Sequence, residues 1–459
     1  MWNRMPLWRM RDAVARGEAS AAELVEAHLA EIERTNPQVN AFIEVYAGEA
    51  RQRAREPLRG ALAGVPVTVK DSFDLEGRVT WCGSLLRRGE RAAQDSTAAA
   101  RLKAAGAVVL GKTSTPEFLY YYETDNRIIG RTCHPWDAAR TPGGSSGGEA
   151  AAIASFMSAG GIGSDGGGSI REPAHFCGIC GLKPTPGRVG AGGHWPVIGH
   201  PAGFMGVGGP MARTARDVRI LFETLAGWDV RDPFSAPVPA RFPEKTAARI
   251  ALWLPEGVQE ECAAAAALTA QRLWEAGFPR AEFEAQLFAG AHELWRVLFV
   301  DLITQSLRAM IAGREEECAW TGVELMREAA GPVTVERLLG VLGERDAMRA
   351  RLLGHMGADM VIVAPAFGVT AFPHRQPPAP ILEAARPLTP ANLLGLPAMS
   401  VPAGIDRHGM PVGVQLIGAP YEDERVIGVA EAFEEIRGES WRSETLFPST
   451  TSSTTCRTD

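Results

Sequence analysis

Two glycine–serine clusters are the places where this chain's side chains could do chemistry: Gly143-Gly144-Ser145-Ser146-Gly147-Gly148 and Gly166-Gly167-Gly168-Ser169. Glycine at this density lets the backbone turn sharply and present its N–H groups to a ligand. Serines in such loops suit a hydrolase, because a hydroxyl becomes a nucleophile once a neighbouring base takes its proton. Taken singly, each serine also reads as an ordinary turn residue. Lys70 ends the apolar run Val65-Pro66-Val67-Thr68-Val69, and alone it reads as a solvated strand end. No Ser/His/Asp pattern accompanies either cluster.

Shorter patterns in this region fail on context. Gly144–Gly148 matches GxSxG, but that elbow needs a strand directly before it, and Ala139-Arg140-Thr141-Pro142 is turn-forming. Gly161–Gly166 matches GxGxxG, yet no helix opens there. About 20 residues on, where a dinucleotide site needs an acidic residue at a strand end, stands Pro184-Thr185-Pro186-Gly187. Cys177 and Cys180 form a lone CxxC, for which buried packing is the expected use. The histidines show no HxxxH or HExxH spacing, so no metal site is expected.

Together these residues resemble the amidase signature family. The resemblance runs through Gly64–Asp71 (GVPVTVKD), Arg140–Gly148 (RTPGGSSGG), Gly167–Arg171 (GGSIR), Phe176–Thr185 (FCGICGLKPT) and Gly209–Arg213 (GPMAR). It continues in Leu396-Pro397-Ala398, Val401–Gly404 and Gly413–Gly418 (GVQLIG), so it spans residues 64 to 418 in patches. The resemblance implies a Ser–cis-Ser–Lys triad with Ser169 as nucleophile, Ser145 as the cis-peptide serine and Lys70 as base. It implies no cofactor.

Physical chemistry agrees: a lysine serves as base only if burial lowers its pKa, and the end of an apolar strand is where that would happen. Gly166, Gly167, Gly168 and Ser169 would supply backbone N–H groups to an oxyanion hole, each donor worth about 3 kcal/mol in the transition state. Ser146 is a candidate supporting donor, and Asp165 and Arg171 are expected to pair or to bond the backbone and hold the loop. The expected reaction is hydrolysis of a carboxamide C–N bond through an acyl-enzyme, with esters and carbamates within reach.

The Gly-Gly-Ser-Ser-Gly-Gly-Glu and Phe-Cys-Gly-Ile-Cys-Gly strings look most like the branch that contains fatty acid amide hydrolase, which points to apolar or aryl amides. The alternative in the family is the glutaminase subunit of a tRNA-dependent amidotransferase. Its Met-Gly-Ser-Ser-Thr-Glu-Asn stretch is not matched by Tyr120-Tyr121-Tyr122-Glu123-Thr124-Asp125-Asn126. Gly166 replaces the family's commoner Thr, and Phe204 and Gly206 stand where many members have Ser and Asp. The three tyrosines are expected to narrow or line the mouth of the site.

These residues need elements to hold them. With 459 residues, 46% hydrophobic, the chain has ample material for a core. A net charge of −7 and the lack of any basic run of about five or more residues argue against a nucleic-acid partner. The N-terminus lacks the apolar core of a signal peptide, and no apolar stretch approaches the roughly 18 residues of a membrane span. Seven scattered cysteines fit a reducing cytoplasm better than a disulfide framework.

Strands are expected at 40–46, 63–70 and 107–112, with helices at 6–18, 20–36, up to about 56, and 96–105, in βαβ rhythm. Residues 113–142 read as irregular. A helix follows the Thr214–Asp217 cap, and a strand opens at Arg249. A helix-rich insertion at about 255–357 then holds helices at 259–276, 286–312, 320–329 and 334–357. Parallel-type strands return at 360–364, 398–402 and 411–417 before a last helix at 422–437. The expected class is α/β: an amidase-signature fold, with a mixed, mostly parallel sheet covered by helices on both faces. One domain would span 1–448, with its core motifs at about 60–215 and a disordered tail at 449–459. The expected partner is a small amide substrate. Leu294, Trp295, Leu298, Phe299 and Leu302 form an apolar set suited to core packing, to a homodimer contact or to a pocket wall.

Overall fold

The computed structural model describes residues 2–199 and 203–438. The tail expected at 449–459 lies outside the described residues. A ten-stranded sheet draws on both ends of the chain. Its early strands are β1 (Phe42–Val45), β2 (Pro66–Lys70) and β3 (Val108–Thr113), while β4 (Asp125–Asn126) and β5 (Gly130–Arg131) form a separate small hairpin. β6 (Gly160–Asp165), β7 (Cys180–Lys183) and β8 (Val207–Ala212) follow the glycine clusters. β9 (Arg249–Leu252), β10 (Met360–Pro365), β11 (Ala398–Ile405) and β12 (Pro411–Ile417) complete it. The spatial order is β1-β3-β2-β6-β8-β7-β11-β12-β10-β9.

The sheet is mixed, as expected. β2 lies parallel to β3 and β6, and β9 parallel to β10. The later strands correct one expectation: β10 and β11, which read as parallel-type, both pair antiparallel with β12. β10 and β12 are buried along their whole length, so they lose the apolar–polar alternation that usually marks an antiparallel strand.

Helices cover both faces. α1 (Leu7–Ala15), α2 (Ala21–Val39), α3 (Ala47–Arg53) and α4 (Thr97–Ala104) flank the early strands. Ser20 and Glu23 close a reciprocal cap at the start of α2, and the helix runs past its expected end through Pro37 to a left-handed Asn40. α5 (Gly147–Ala154) and α6 (Arg171–Cys177) follow the two glycine clusters; α7 (Ala215–Leu225) starts on Thr214, whose side chain accepts from Asp217 N–H, and α8 (Glu260–Glu275) comes next. The stretch expected as one helix over 286–312 is broken: a left-handed Gly290 precedes α9 (Ala291–Trp295), a π-helical turn spans Arg296–Asp301, and α10 (Leu302–Ile311) ends it. α11 (Trp320–Arg327), α12 (Val335–Met356), α13 (Pro378–Ala384), α14 (Thr389–Leu393) and α15 (Asp423–Arg437) complete the set.

Alternation along β10 shows how the sheet divides the core. Met360, Ile362 and Ala364 pack with Leu294, Trp295 and Leu298, while Val361 and Val363 face the residues of α7, α8 and α15. Leu294, Trp295 and Leu298 are therefore core residues of this chain. No helix among the described residues is long and apolar enough to cross a membrane. Cys82, Cys177, Cys180, Cys262 and Cys318 are buried, so Cys177 and Cys180 pack as expected.

Candidate active site

β2 presents Lys70. Its Val67 and Val69 face the α7–α8 side, so a period of two turns Thr68 and Lys70 to the other face. Lys70 is fully buried, and its Nζ lies 2.7 Å from Ser145 Oγ, 3.0 Å from Ser164 Oγ and 3.3 Å from Ser164 O. Burial pushes its ammonium down to about 7, against the pull of Cys82, Asp165 and Glu149 in the other direction.

The Gly144–Ser145 peptide bond is cis. Ser146, next along, caps α5 from a non-helical backbone; its Oγ donates to Ser164 O and accepts from Ser164 N, both at 3.3 Å. Its N–H donates to Ser169 O at 3.1 Å, which ties the two clusters together. Glu149, wholly buried on α5, accepts from Thr68 of β2 at 2.6 Å and from Thr113 of β3 at 2.7 Å. Burial lifts its carboxyl to about 7 despite both bonds. Gly161 allows this close packing, since a Cβ there would lie 2.1 Å from Glu149 Oε1 and 2.2 Å from Thr68 O.

β6 ends on Asp165, and the second cluster turns there into α6. Three successive carbonyls in the turn are claimed: Gly166 O accepts from Trp295 Nε1 at 3.0 Å, Gly167 O from the Tyr122 hydroxyl at 2.6 Å, and Gly168 O from Glu172 N at 2.7 Å. Gly168 has φ of 114°, which glycine adopts without strain. Asp165 and Arg171 pair as expected, with Arg171 Nε at 3.0 Å, and both are fully buried. Asp165 also accepts from the N–H groups of Gly168 and Ile170 and from Asn392. Burial alone would raise its carboxyl, but the Arg171 guanidinium and these bonds hold it below the usual carboxylate range. Arg171 reaches on to Leu388 O and Gln415 Oε1.

One expectation needs correction here. Gly168, expected among the oxyanion donors, gives its N–H to Asp165 Oδ1 at 2.8 Å and is not free. Among the described residues no hydrogen bond claims the N–H groups of Gly166, Gly167 or Ser169.

Ser145 and Ser169 open on one cavity of about 270 Å³, also lined by Gly166, His194, Tyr120 and Phe299. They are not hydrogen-bonded to each other. Tyr120 lines this cavity, Tyr122 braces the loop from behind, and Tyr121 points away to bond Gln376 O. Gly206 lines the cavity, and Phe204 lies under the Arg345 guanidinium. Several contributors were not singled out from sequence. Glu149 has a visible signal, a charge inside the apolar run Gly147–Ala154, whereas Ser164 and Asn392 carry none.

Comparison with known proteins fits this geometry. The amidase family's sequence profile matches residues 23–427. A glutamyl-tRNA(Gln) amidotransferase subunit from Synechococcus sp. (strain RCC307) is 32% identical, covering 94% of this chain and 97% of its own. An indoleacetamide hydrolase from Bradyrhizobium diazoefficiens is also 32% identical, over 93% of this chain and 85% of its own. Among solved structures, a bacterial aryl acylamidase of the amidase signature enzymes superposes with a TM-score of 0.86 at 25% identity, covering 97% of this chain and 99% of its own. The chain belongs to the amidase signature family and is an enzyme that hydrolyses amide C–N bonds.

Proposed function

We propose that this amidase works through Lys70, Ser145 and Ser169 on compact apolar or aryl amides. The observation that carries the reading is the 2.7 Å contact between buried Lys70 Nζ and Ser145 Oγ, at the cavity that Ser169 also lines. Neutral Lys70 takes the Ser145 proton as Ser145 takes that of Ser169. Ser169 Oγ attacks the amide carbon, and the N–H groups of Gly166, Gly167 and Ser169 hold the oxyanion. The proton returns through Ser145 to the leaving amine as the C–N bond breaks, and water releases the acid by the same route. The Ser145–Ser169 hydrogen bond closes when substrate binds, as catalytic bonds commonly tighten only in the Michaelis complex. Esters and carbamates pass through a similar tetrahedral intermediate and fall within reach.

The cavity supports apolar substrates. Phe118, Leu119, Phe299, Leu302 and Ile303 line it, and its volume of about 270 Å³ suits a single ring or short chain better than a long acyl chain. The second reading, the glutaminase subunit of a tRNA-dependent amidotransferase, is favoured by relatives of that name. Against it, no Lys or Arg among the described residues lines the cavity to meet a glutamine carboxylate, and Asp165 is already neutralised by Arg171. Hydrolysis of an aryl amide by wild type, Lys70→Met and Ser169→Ala tests the proposal. Each variant should lose at least ~100-fold in kcat; turnover at the wild-type rate in either would refute it.

A further inference from the structure

We propose that the π-helical turn Arg296–Asp301, pinned by the Tyr120 hydroxyl, sets the size of the apolar group that the cavity accepts. The inference rests on the amide-hydrolase reading of that cavity.

Between α9 and α10 the backbone makes five-residue turns, with Leu302 N–H donating to Val297 O. Such turns are uncommon and recur at functional sites. This one brings Phe299 onto the catalytic loop. Phe299 lines the cavity and stacks on Trp295 at 4.9 Å and 14°. A Cβ added to Gly166 would lie 2.8 Å from its Cε2. Trp295 in turn holds Gly166 O. The wall of the cavity and the loop that carries Ser169 are thus one packed unit.

Tyr120 fixes the turn through its hydroxyl. Its hydroxyl lies 2.8 Å from Val300 O, 3.3 Å from Phe299 O and 2.9 Å from Thr304 Oγ1. A phenol has one proton to give, so it donates to Val300 O while its oxygen accepts from Thr304. Tyr120, Val300 and Thr304 are all buried, and the Tyr120 ring leans on Phe299 at 5.8 Å. The hydroxyl is engaged with the helix, so removing it adds no room to the cavity directly. It releases the turn, which then relaxes toward α-helical register and draws Phe299 off Gly166. Leu302 and Ile303, also in the lining, follow. Tyr120 is therefore a positioning residue that acts on substrate size through Phe299.

The test uses the Ser169→Ala protein, which blocks turnover, and measures affinity for benzamide and 2-naphthamide by calorimetry. Tyr120→Phe, Phe299→Ala and Thr304→Val are each added to it. The parent should prefer benzamide. Phe299→Ala and Tyr120→Phe should each cut that preference by about tenfold, the scale of a size misfit in an apolar pocket, and Thr304→Val should cut it by less. An unchanged preference in a folded Tyr120→Phe protein overturns the proposal, as does an unchanged preference in Phe299→Ala or a parent that binds neither amide. If Tyr120→Phe does not fold, Thr304→Val decides by the same criterion. Hydrolysis by the Ser169-bearing protein is scored separately. A protein that binds with the expected preferences but turns over no amide defeats the catalytic reading and leaves the size filter standing.

Discussion

Burial at the apolar end of β2 pushes the Lys70 ammonium down to about 7, so far more of it is neutral at pH 7 than of an ordinary lysine. As the base of the proposed triad, it has a pH signature. Below about 7 Lys70 is protonated and cannot accept the Ser145 proton, so kcat/KM should rise about tenfold per pH unit up to 7 and level off above. A profile flat from pH 5 to 9 would exclude Lys70 as base. Asp165 shows a different kind of dependence. Asp165→Asn leaves the buried Arg171 guanidinium without its counter-charge, which should cost about 3–5 kcal/mol in urea unfolding; a loss below about 1 kcal/mol would mean that the pair does not hold the loop. Lys70, Ser145 and Ser169 stood out in the sequence because each stands in a recognisable string. Asn392 and Gln415 did not, since what makes them partners of Arg171 is proximity across the fold and not spacing along the chain.

Elements with a local chemical signature were equally legible. The Ser20–Glu23 and Thr214–Asp217 pairs located the starts of α2 and α7, because a side-chain oxygen there satisfies a backbone N–H that the helix leaves free. Strand direction in β10 and β12 was not legible, as full burial hides orientation. Neither was the interruption around the π-turn, since an apolar stripe looks continuous whether or not the helix adds a residue. Gly161 drew notice in the sequence only through its GxGxxG match, but it serves close packing between β2 and α5. Gly161→Ala should therefore destabilise the protein by about 1–3 kcal/mol through overpacking, with a lower Tm as the readout. A Tm equal to wild type would show that the Thr68–Glu149 contact can give way.

Across the whole molecule, Lys70, Ser145 and Ser169 come from the first half of the chain and much of the apolar wall of the cavity from the helical stretch 296–311. The strings around those three residues mark the family, whereas the wall carries no such string, which is why the sequence disclosed the reaction class and not the amide. Purified alone, the chain should hydrolyse a single-ring aryl amide at least ~100-fold more efficiently than L-glutamine, because no Lys or Arg among the described lining residues is there to meet an amino-acid carboxylate. Equal rates, or glutamine hydrolysis that appears only with co-purified protein partners, would favour the glutaminase reading. The central claim, that Ser169 is the nucleophile, is tested most directly by mass-spectrometric mapping of a fluorophosphonate adduct. The account predicts a single adduct on Ser169, absent in Ser169→Ala and slowed in Lys70→Met. An adduct on another serine, or an unlabelled Ser169 in a protein that still hydrolyses amides, would contradict it.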